Sequence, residues 1–184
     1  EDTGLEVISI HAPTLLFLPR VLHKDHWEKL RITANLAKAV GAETVVLHPP
    51  FRWQGDYALG FVDGVRQVSQ ETGVRLAVEN MYPWKARTKD GARTKERDAY
   101  LPHWDPVPLP YEHVTFDLSH AGVAGVDSVA AVRALGPRLA HLHLTDSTGS
   151  NRDEHLAPGL GQQPCREVLE ILPEIGFTGS VAVE

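Results

Sequence analysis

Six residues that can bind a metal ion each stand at the end of a short, mostly apolar run in this chain. They are His11, His48, Glu79, Asp117, His143 and Glu184. Runs of this length, separated by helix-length segments, are typical of buried parallel strands. Because the carboxyl ends of parallel strands meet at one edge, we expect three imidazoles and three carboxylates to converge there. The sequence therefore predicts a metal site assembled from strand ends, and with it an enzyme.

Three more candidate ligands follow these runs on the next loops. They are His120, Asp153 and His155. Two residues near these candidates, His141 and Arg152, are not expected to bind the metal. His141 alternates with His143 along the same run, and we expect its side chain to face away from the site. Arg152 precedes Asp153 and could contact an anionic substrate.

Segments with helical spacing lie between the runs. The clearest begins after Asp25, a residue that favours a helix N-terminus, and ends at Gly41. The predicted helices are 26–40, 57–72, 128–135 and 165–175. Strands alternating with helices give right-handed crossovers and a parallel sheet that is covered by helices, so the fold class is α/β.

The distribution of candidate ligands favours a closed barrel over an open sheet. An open sheet binds ligands at one switch point, whereas these candidates come from nearly every strand end. We expect residues 155–161 to add an abbreviated strand between those ending at His143 and Glu184, which makes seven. Since a (β/α)8 TIM barrel needs about 250 residues, we predict one domain over residues 1–184, in which the first strand–helix unit and the last helix are absent.

Composition narrows the class of partner. A net charge of −6 argues against nucleic acid, which requires a basic face. The single cysteine, Cys165, excludes an internal disulfide and fits a reducing cytoplasm. No apolar stretch approaches the roughly 20 residues of a membrane span, so no membrane partner is expected. The exposed edge strands of an unclosed barrel would favour a homo-oligomer.

A Pro-rich, charged insertion occupies about 82–112 and is expected to be irregular. Between Trp84 and Tyr100 it has six Lys or Arg against three Asp or Glu. Such a segment is either a solvated loop or a lid over an anionic substrate, in which Lys85 and Arg87 would bind a phosphate or carboxylate. Trp84, like Trp53 or Trp104, could stack on a sugar or simply pack.

This set of residues resembles the xylose isomerase-like barrel superfamily, which contains sugar isomerases and epimerases together with the endonuclease IV class. The likeness covers nearly the whole chain. Resemblance to the isomerases and epimerases implies one divalent ion (Zn, Mn, Mg or Co) held by Glu79, Asp117, His143 and Glu184. It also implies that Glu79 and Glu184 remove and return a substrate proton, and that His120 contacts the substrate.

Resemblance to endonuclease IV implies up to three zinc ions with nine ligands. The first set would be His11, His48 and Glu79, the second Glu79, Asp117, His143 and Glu184, and the third His120, Asp153 and His155. Two departures put a DNA substrate in doubt. Thr14 stands where the endonucleases have a DNA-inserting Tyr, and Met81 stands where their Glu-Asn-Thr signature has Thr.

Three functions follow from the sequence. The preferred one is a divalent-metal-dependent isomerase or epimerase of a small-molecule sugar or sugar phosphate. The alternative is a multi-zinc phosphodiester hydrolase, an apurinic-site endonuclease by resemblance. The third is a non-catalytic barrel that binds a sugar. The number of bound ions, and turnover itself, discriminate among them.

Overall fold

The computed structural model describes residues 4–13, 22–90 and 93–184, and gives only the backbone for 85–90 and 93–97. Thr14 and the side chains of Lys85 and Arg87 therefore lie outside the described part. Its strands are β1 (Ser9–His11), β2 (Thr44–Leu47), β3 (Arg75–Glu79), β4 (Lys85–Asp90), β5 (Arg93–Asp98), β6 (Val114–Asp117), β7 (Leu139–His143) and β8 (Ser180–Ala182). Its α-helices are α1 (His26–Val40), α2 (Asp56–Leu59), α3 (Phe61–Thr72), α4 (Leu118–Ala124), α5 (Ser128–Leu135) and α6 (Cys165–Ile171).

The six predicted strands form one parallel sheet in the order β1-β2-β3-β6-β7-β8. Strands β2, β6 and β7 are buried along their whole length, as their continuous apolar runs predict. Strands β2 and β3 also contact β7 across the interior, so the sheet curves into a nearly closed barrel. The register sets Asp117 beside His143 and His143 beside Ala182. The architecture is that of a partial (β/α)8 TIM barrel.

The expected seventh strand at 155–161 was wrong. Strand β7 pairs directly with β8 and leaves no room between them. Leu156 instead forms an isolated antiparallel bridge with Asp146. The Asp146 carboxylate accepts hydrogen bonds from the backbone N–H groups of Gly159, Gly161 and Gln163, at 2.9, 2.8 and 2.8 Å. These bonds curl the segment around one side chain, which an extended strand could not allow.

The helices follow their sequence signals. Asp25 caps α1 by accepting from the backbone N–H of Glu28 at 2.8 Å, and Gly41 ends it with φ 79°. The predicted helix 57–72 is divided at Gly60 into α2 and α3, and α6 ends at Ile171 rather than at 175. No helix among the described ranges combines the length and apolarity needed to cross a bilayer.

The insertion is more ordered than its composition suggests. Strands β4 and β5 pair as an antiparallel hairpin from Lys85↔Asp98 to Asp90↔Arg93. Backbone hydrogen bonds fasten its base: the Ala99 N–H donates to the Trp84 carbonyl at 2.7 Å, and a bridge joins Tyr100 to Phe51. A small second core of Phe51, Met81, Ala99 and Tyr100 lies beneath, with Trp104 packed against it. The base of the insertion is thus a fixed part of the barrel rim.

Candidate metal centre

One face of the barrel brings together His11, His48 and Glu79 from the ends of β1, β2 and β3. The Nε2 atoms of His11 and His48 lie 3.2 and 3.1 Å from the same oxygen, Glu79 Oε2. The two imidazole rings meet edge to face with centroids 4.9 Å apart. This group offers two nitrogens and one carboxylate oxygen within 4.8 Å of one another.

A second group surrounds Nδ1 of His143. Glu79 Oε1 lies 3.0 Å from that nitrogen, Asp117 Oδ2 3.4 Å, and Glu184 Oε2 2.8 Å. The four ligand atoms of the group all lie within 4.8 Å of one another. Glu79 belongs to both groups, one carboxylate oxygen facing each. A single buried side chain therefore joins the two.

The remaining candidates lie beside the second group. The Asp153 carboxylate is shared by two imidazoles, with His120 Nε2 at 3.1 Å and His155 Nε2 at 2.9 Å. The third group is His120, His155 and Asp117, whose ligand atoms lie within 4.8 Å of one another. It contains Asp117 where the resemblance to endonuclease IV implied Asp153, and Asp153 lies beside it. All nine residues singled out in the sequence thus meet at one end of the barrel, and Asp117 stands between the second group and the third.

The donors fit a divalent cation. Four carboxylates share this small volume, and Asp117 Oδ2 is buried without a hydrogen-bond partner. His143 has one Nδ1 atom facing three carboxylates, and a single N–H cannot satisfy them all. Imidazole nitrogens and carboxylate oxygens at this spacing are the ligands of zinc and other first-row ions.

The pKa values of the clustered residues are also shifted by their mutual charges. Burial lowers the pKa of His143, but the carboxylates of Asp117, Glu184 and Glu79 outweigh it and raise that pKa to about 12. Burial likewise opposes the rise at His120, whose pKa reaches about 9 through Asp153 and Asp117. Burial raises the pKa of Glu79, yet its imidazole hydrogen bonds bring it well below the ordinary value. Glu79 is therefore ionised, and in the absence of an ion its charge is balanced by imidazolium protons on the neighbouring histidines.

The candidate ligands nearer the surface also have pKa values shifted by neighbouring charged groups. Burial lowers the pKa of His11, but its hydrogen bond to Glu79 and that residue's charge raise it overall. A hydrogen bond from His143 lowers the pKa of Glu184 against the effect of burial. The Asp153 carboxylate, 2.9 Å from Nε2, raises the pKa of His155. Burial raises the pKa of Asp153, but its bonds to His120 and His155 lower it overall.

Asn80 fixes the second group from behind. Its side-chain amide donates to the Asp117 carbonyl at 3.0 Å and accepts from the Asp117 N–H at 2.7 Å, which ties the ends of β3 and β6 together. Asp117 also caps α4, accepting from the His120 N–H at 2.8 Å. The Asn80 carbonyl lies 2.8 Å from His120 Nδ1, so His120 presents Nε2 to Asp153.

Ser119 holds the third group in place, a role the sequence analysis missed. Its hydroxyl donates to Asp153 Oδ1 at 2.9 Å and accepts from the N–H groups of Glu154 and His155 at 3.3 and 3.2 Å. Ser119 lies between two predicted ligands, Asp117 and His120, at a helix start where a serine commonly bonds backbone groups. The position of Ser119 between two candidate ligands at a helix start was the sequence feature that could have indicated this role.

His141 does not face away from the site, so that prediction was wrong. Its ring lies 5.1 Å from the His143 ring, and its Nδ1 lies 2.7 Å from Ser180 Oγ. Residues two apart on a strand share a face, so the alternation should have placed both histidines together. Burial and the charge of His143 lower the pKa of His141 to about 4. It is a neutral support beneath His143.

A cleft of about 630 Å³ opens over the three groups. Ligand residues form one side, and the other is formed by Phe51, Met81, Tyr82, Trp84 and Tyr100. Among the residues described, none lining the cleft is Lys or Arg. Arg152 is exposed and is not part of the lining. The anion-binding role expected of Lys85 and Arg87 falls on side chains outside the described part and stays a prediction.

Sequence comparison places the chain in a family. It belongs to the xylose isomerase-like TIM barrel family, whose model matches residues 1–184. An uncharacterised protein of Mycobacterium tuberculosis is 44% identical over 191 residues, covering 97% of this chain and 68% of that protein. A probable endonuclease 4 of Geobacillus kaustophilus is 29% identical and covers 86% of this chain and 58% of its own length. The fructoselysine 3-epimerase of Escherichia coli O157:H7 is 27% identical, covering 64% of this chain and 41% of that enzyme.

Solved structures show the same fold. The L-ribulose 3-epimerase structure has a TM-score of 0.63 at 17% identity, covering 98% of this chain and 62% of that one. The structure of the IolI protein with a bound zinc atom has a TM-score of 0.62 at 20% identity, covering 97% of this chain and 67% of that one. The structure of endonuclease IV from Thermus thermophilus has a TM-score of 0.58 at 22% identity, covering 97% of this chain and 68% of that one. Similar proteins thus include epimerases and endonucleases on one barrel.

Proposed function

We propose that this protein is a divalent-metal-dependent isomerase or epimerase that moves a proton next to the carbonyl of a sugar. The observation that carries the proposal is the second ligand group, Glu79, Asp117, His143 and Glu184, whose ligand atoms lie within 4.8 Å of one another beneath the cleft. A bound ion would polarise a substrate carbonyl and acidify the adjoining C–H. The side chains around it then have to move a proton.

Glu184 is the better placed of the two proposed proton-transfer residues. Its side chain is 45% exposed, while that of Glu79 is 2% exposed. Glu79 has both oxygens engaged, Oε2 by His11 and His48 and Oε1 by His143. Glu184 can therefore turn an oxygen toward substrate at less expense, and Glu79 completes the carboxylate pair. His120 has Nδ1 at the Asn80 carbonyl and Nε2 at Asp153, so it would donate a hydrogen bond to a substrate hydroxyl by giving up its contact with Asp153.

The charge of the loaded site bears on the substrate. Glu79, Asp117, Asp153 and Glu184 contribute −4, so one divalent ion leaves −2 and three leave +2. Imidazolium charge, such as that of His120 with its pKa of about 9, offsets part of the remaining −2. A one-ion site therefore attracts anions less than a three-ion site, and it suits the hydroxyl and carbonyl groups of an uncharged sugar. The aromatic side of the cleft fits such a substrate, because sugar rings pack their C–H faces on aromatic rings.

The test is proton exchange. The metal-loaded protein is incubated with a panel of ketoses and aldoses in deuterated water, and label at the carbon next to the carbonyl is read by mass spectrometry. Metal-dependent incorporation, together with about one ion per chain by elemental analysis, is the expected result. The absence of exchange across the panel from fully loaded protein would contradict the proposal.

A second function is favoured by a specific observation, the gathering of all nine candidate ligands with Glu79 shared between two groups. This arrangement suits a zinc cluster that hydrolyses a phosphodiester, and a three-ion site of net charge +2 would attract one. Two or three zinc ions per chain, with metal-dependent cleavage of an abasic oligonucleotide, would establish this function in place of the first. A protein that binds sugar without exchange or cleavage would be the non-catalytic barrel.

A further inference from the structure

The aromatic side of the cleft extends beyond what the ligand groups need. We define the aromatic wall as Phe51, Trp53, Trp84 and Tyr100. Phe51 stacks on Trp53 with centroids 4.6 Å apart and planes 2° apart, and lies 5.0 Å from Tyr100. Trp84 stands perpendicular to both Phe51 and Trp53, at 5.4 and 5.8 Å. Four rings therefore form one continuous surface.

The wall is rigid at its base and open at its rim. Phe51 and Tyr100 are buried and joined by a backbone bridge, and the backbone N–H of Arg52 donates to the Ala99 carbonyl at 2.7 Å. Trp84 and Trp53 keep 41% and 53% of their surface exposed. Large aromatic surfaces left in water at the mouth of a polar cleft are typical of a ligand-binding surface.

The wall and the ligand groups are parts of one cavity. Phe51, Trp84 and Tyr100 line the same cleft as Glu79 and Glu184. At about 630 Å³ the cleft falls within the range of pockets that bind drug-sized ligands, roughly 300–1,000 Å³. A molecule chelated at the metal would be held with its far end against the rings.

We infer that the substrate has two parts: an oxygen-rich head bound at the ligand groups, and a planar apolar substituent stacked on the aromatic wall. The inference rests on the proposed function for the head and adds the chemical class of the tail, an uncharged aromatic or unsaturated group. Trp84 contributes most to binding the tail because it combines exposure with a position in the cleft lining. Phe51 and Tyr100 hold it in place from below.

The test uses two hydroxamic acids, which chelate a divalent ion through two oxygens as a hydroxy-carbonyl head would. Benzohydroxamic acid has a phenyl tail and acetohydroxamic acid a methyl group. Binding to the zinc-loaded protein is measured by calorimetry, and the metal content is checked after each titration. We expect benzohydroxamic acid to bind at least tenfold more tightly. Trp84→Ala should reduce the ratio to near one by weakening the phenyl compound alone.

Two variants control the measurement. Trp84→Phe keeps an aromatic ring and should preserve most of the preference, and Leu160→Ala removes an exposed apolar side chain outside the cleft lining and should change nothing. Equal binding of both hydroxamates would overturn the tail while leaving the metal-bound head intact. A phenyl preference that survives in Trp84→Ala would also overturn it. If neither compound binds to the zinc-loaded protein, the inferred binding of an oxygen-rich head group at the metal is contradicted, and so is the proposed function.

Discussion

At the scale of single residues, Glu79 joins two of the candidate ligand groups. It is buried, it accepts from imidazoles on both sides, and it links two ligand groups. Its replacement would change the site and the barrel interior together. Glu184 differs, because in the described part its ion pairs are with His143 and His155 and its side chain is half-exposed. Glu184 therefore offers the cleaner separation of chemistry from folding.

The first prediction concerns Glu184→Gln. The amide keeps the size of the side chain but cannot accept a proton, so turnover should fall by about 10²- to 10⁴-fold. The free energy of unfolding should change by less than about 1 kcal/mol, because the group is partly exposed. Activity and urea denaturation are measured in parallel. Glu174→Gln, on an exposed ion pair with Arg133, is the matched control and should retain full activity. An active Glu184→Gln enzyme would remove this residue from the mechanism.

A second prediction concerns Ser119→Ala. Loss of the hydroxyl leaves the N–H groups of Glu154 and His155 without their partner and removes one of two contacts to Asp153 Oδ1, so stability should fall by about 1–3 kcal/mol. The third ligand group should also loosen, and zinc binding there should weaken. Ser150→Ala removes a hydroxyl whose bond to the Arg152 N–H is 3.3 Å long, and should change stability by under about 0.5 kcal/mol. Equal effects of the two variants would show that Ser119 holds nothing in place.

At the scale of elements, the strands and helices were predictable where local pattern and burial agree. Strands β2 and β7 are apolar runs that end on a ligand, and α1 carries both of its caps in the sequence. The hairpin was not predicted because its strands alternate charged residues rather than apolar ones, although Asp90-Gly91 is a turn signal typical of hairpins. The segment after Asp146 was mistaken for a strand because its folding depends on a tertiary contact with one carboxylate.

That carboxylate gives a pH prediction. Burial raises the pKa of Asp146, but bonds from the N–H groups of Gln163, Gly161, Ser147 and Gly159 lower it overall. Since its folded pKa lies below the unfolded value of about 3.9, its contribution to stability is present above that pH and is lost as pH falls through the folded pKa. Asp146→Asn offers one acceptor oxygen instead of two, and should be less stable by about 1–3 kcal/mol at pH 7.

The pH dependence provides the check. The stability difference between the native protein and Asp146→Asn, measured by urea denaturation, should shrink as pH falls below about 4, because the unfolded chain then takes up a proton on Asp146 before the folded protein does. A difference that stays constant from neutral pH to pH 3 would contradict the account. Gly161→Ala should be destabilised at every pH, because its Cβ would lie 2.4 Å from Asp146 Oδ1 and from the Ser147 carbonyl.

At the scale of the whole molecule, the site draws on nearly every strand of the sheet. Convergence of the nine candidate ligands was predictable from the sequence, since parallel strands place their carboxyl ends at one edge. One feature did not follow, because the sharing of Glu79 between two groups depends on the curvature of the barrel. The position of His141 beside His143 could have been predicted, since residues two apart on a strand share a face. The homo-oligomer expected from open edges stays a prediction.

Because the ligands span the sheet from β1 to the residues after β8, an ion should stabilise the whole fold rather than one loop. Binding to the native state alone adds RT ln(1 + [L]/Kd), about 2.7 kcal/mol at a free-ion concentration one hundred times Kd. Zinc-loaded protein should therefore unfold in one transition at a higher temperature than chelator-treated protein. His143→Ala should lose that increment, because it removes the nitrogen that faces three carboxylates. His23→Ala, an exposed imidazole outside the three ligand groups, should keep it. If zinc stabilises His143→Ala as much as the native protein, the ion is bound elsewhere, and the convergence of strand ends has another purpose.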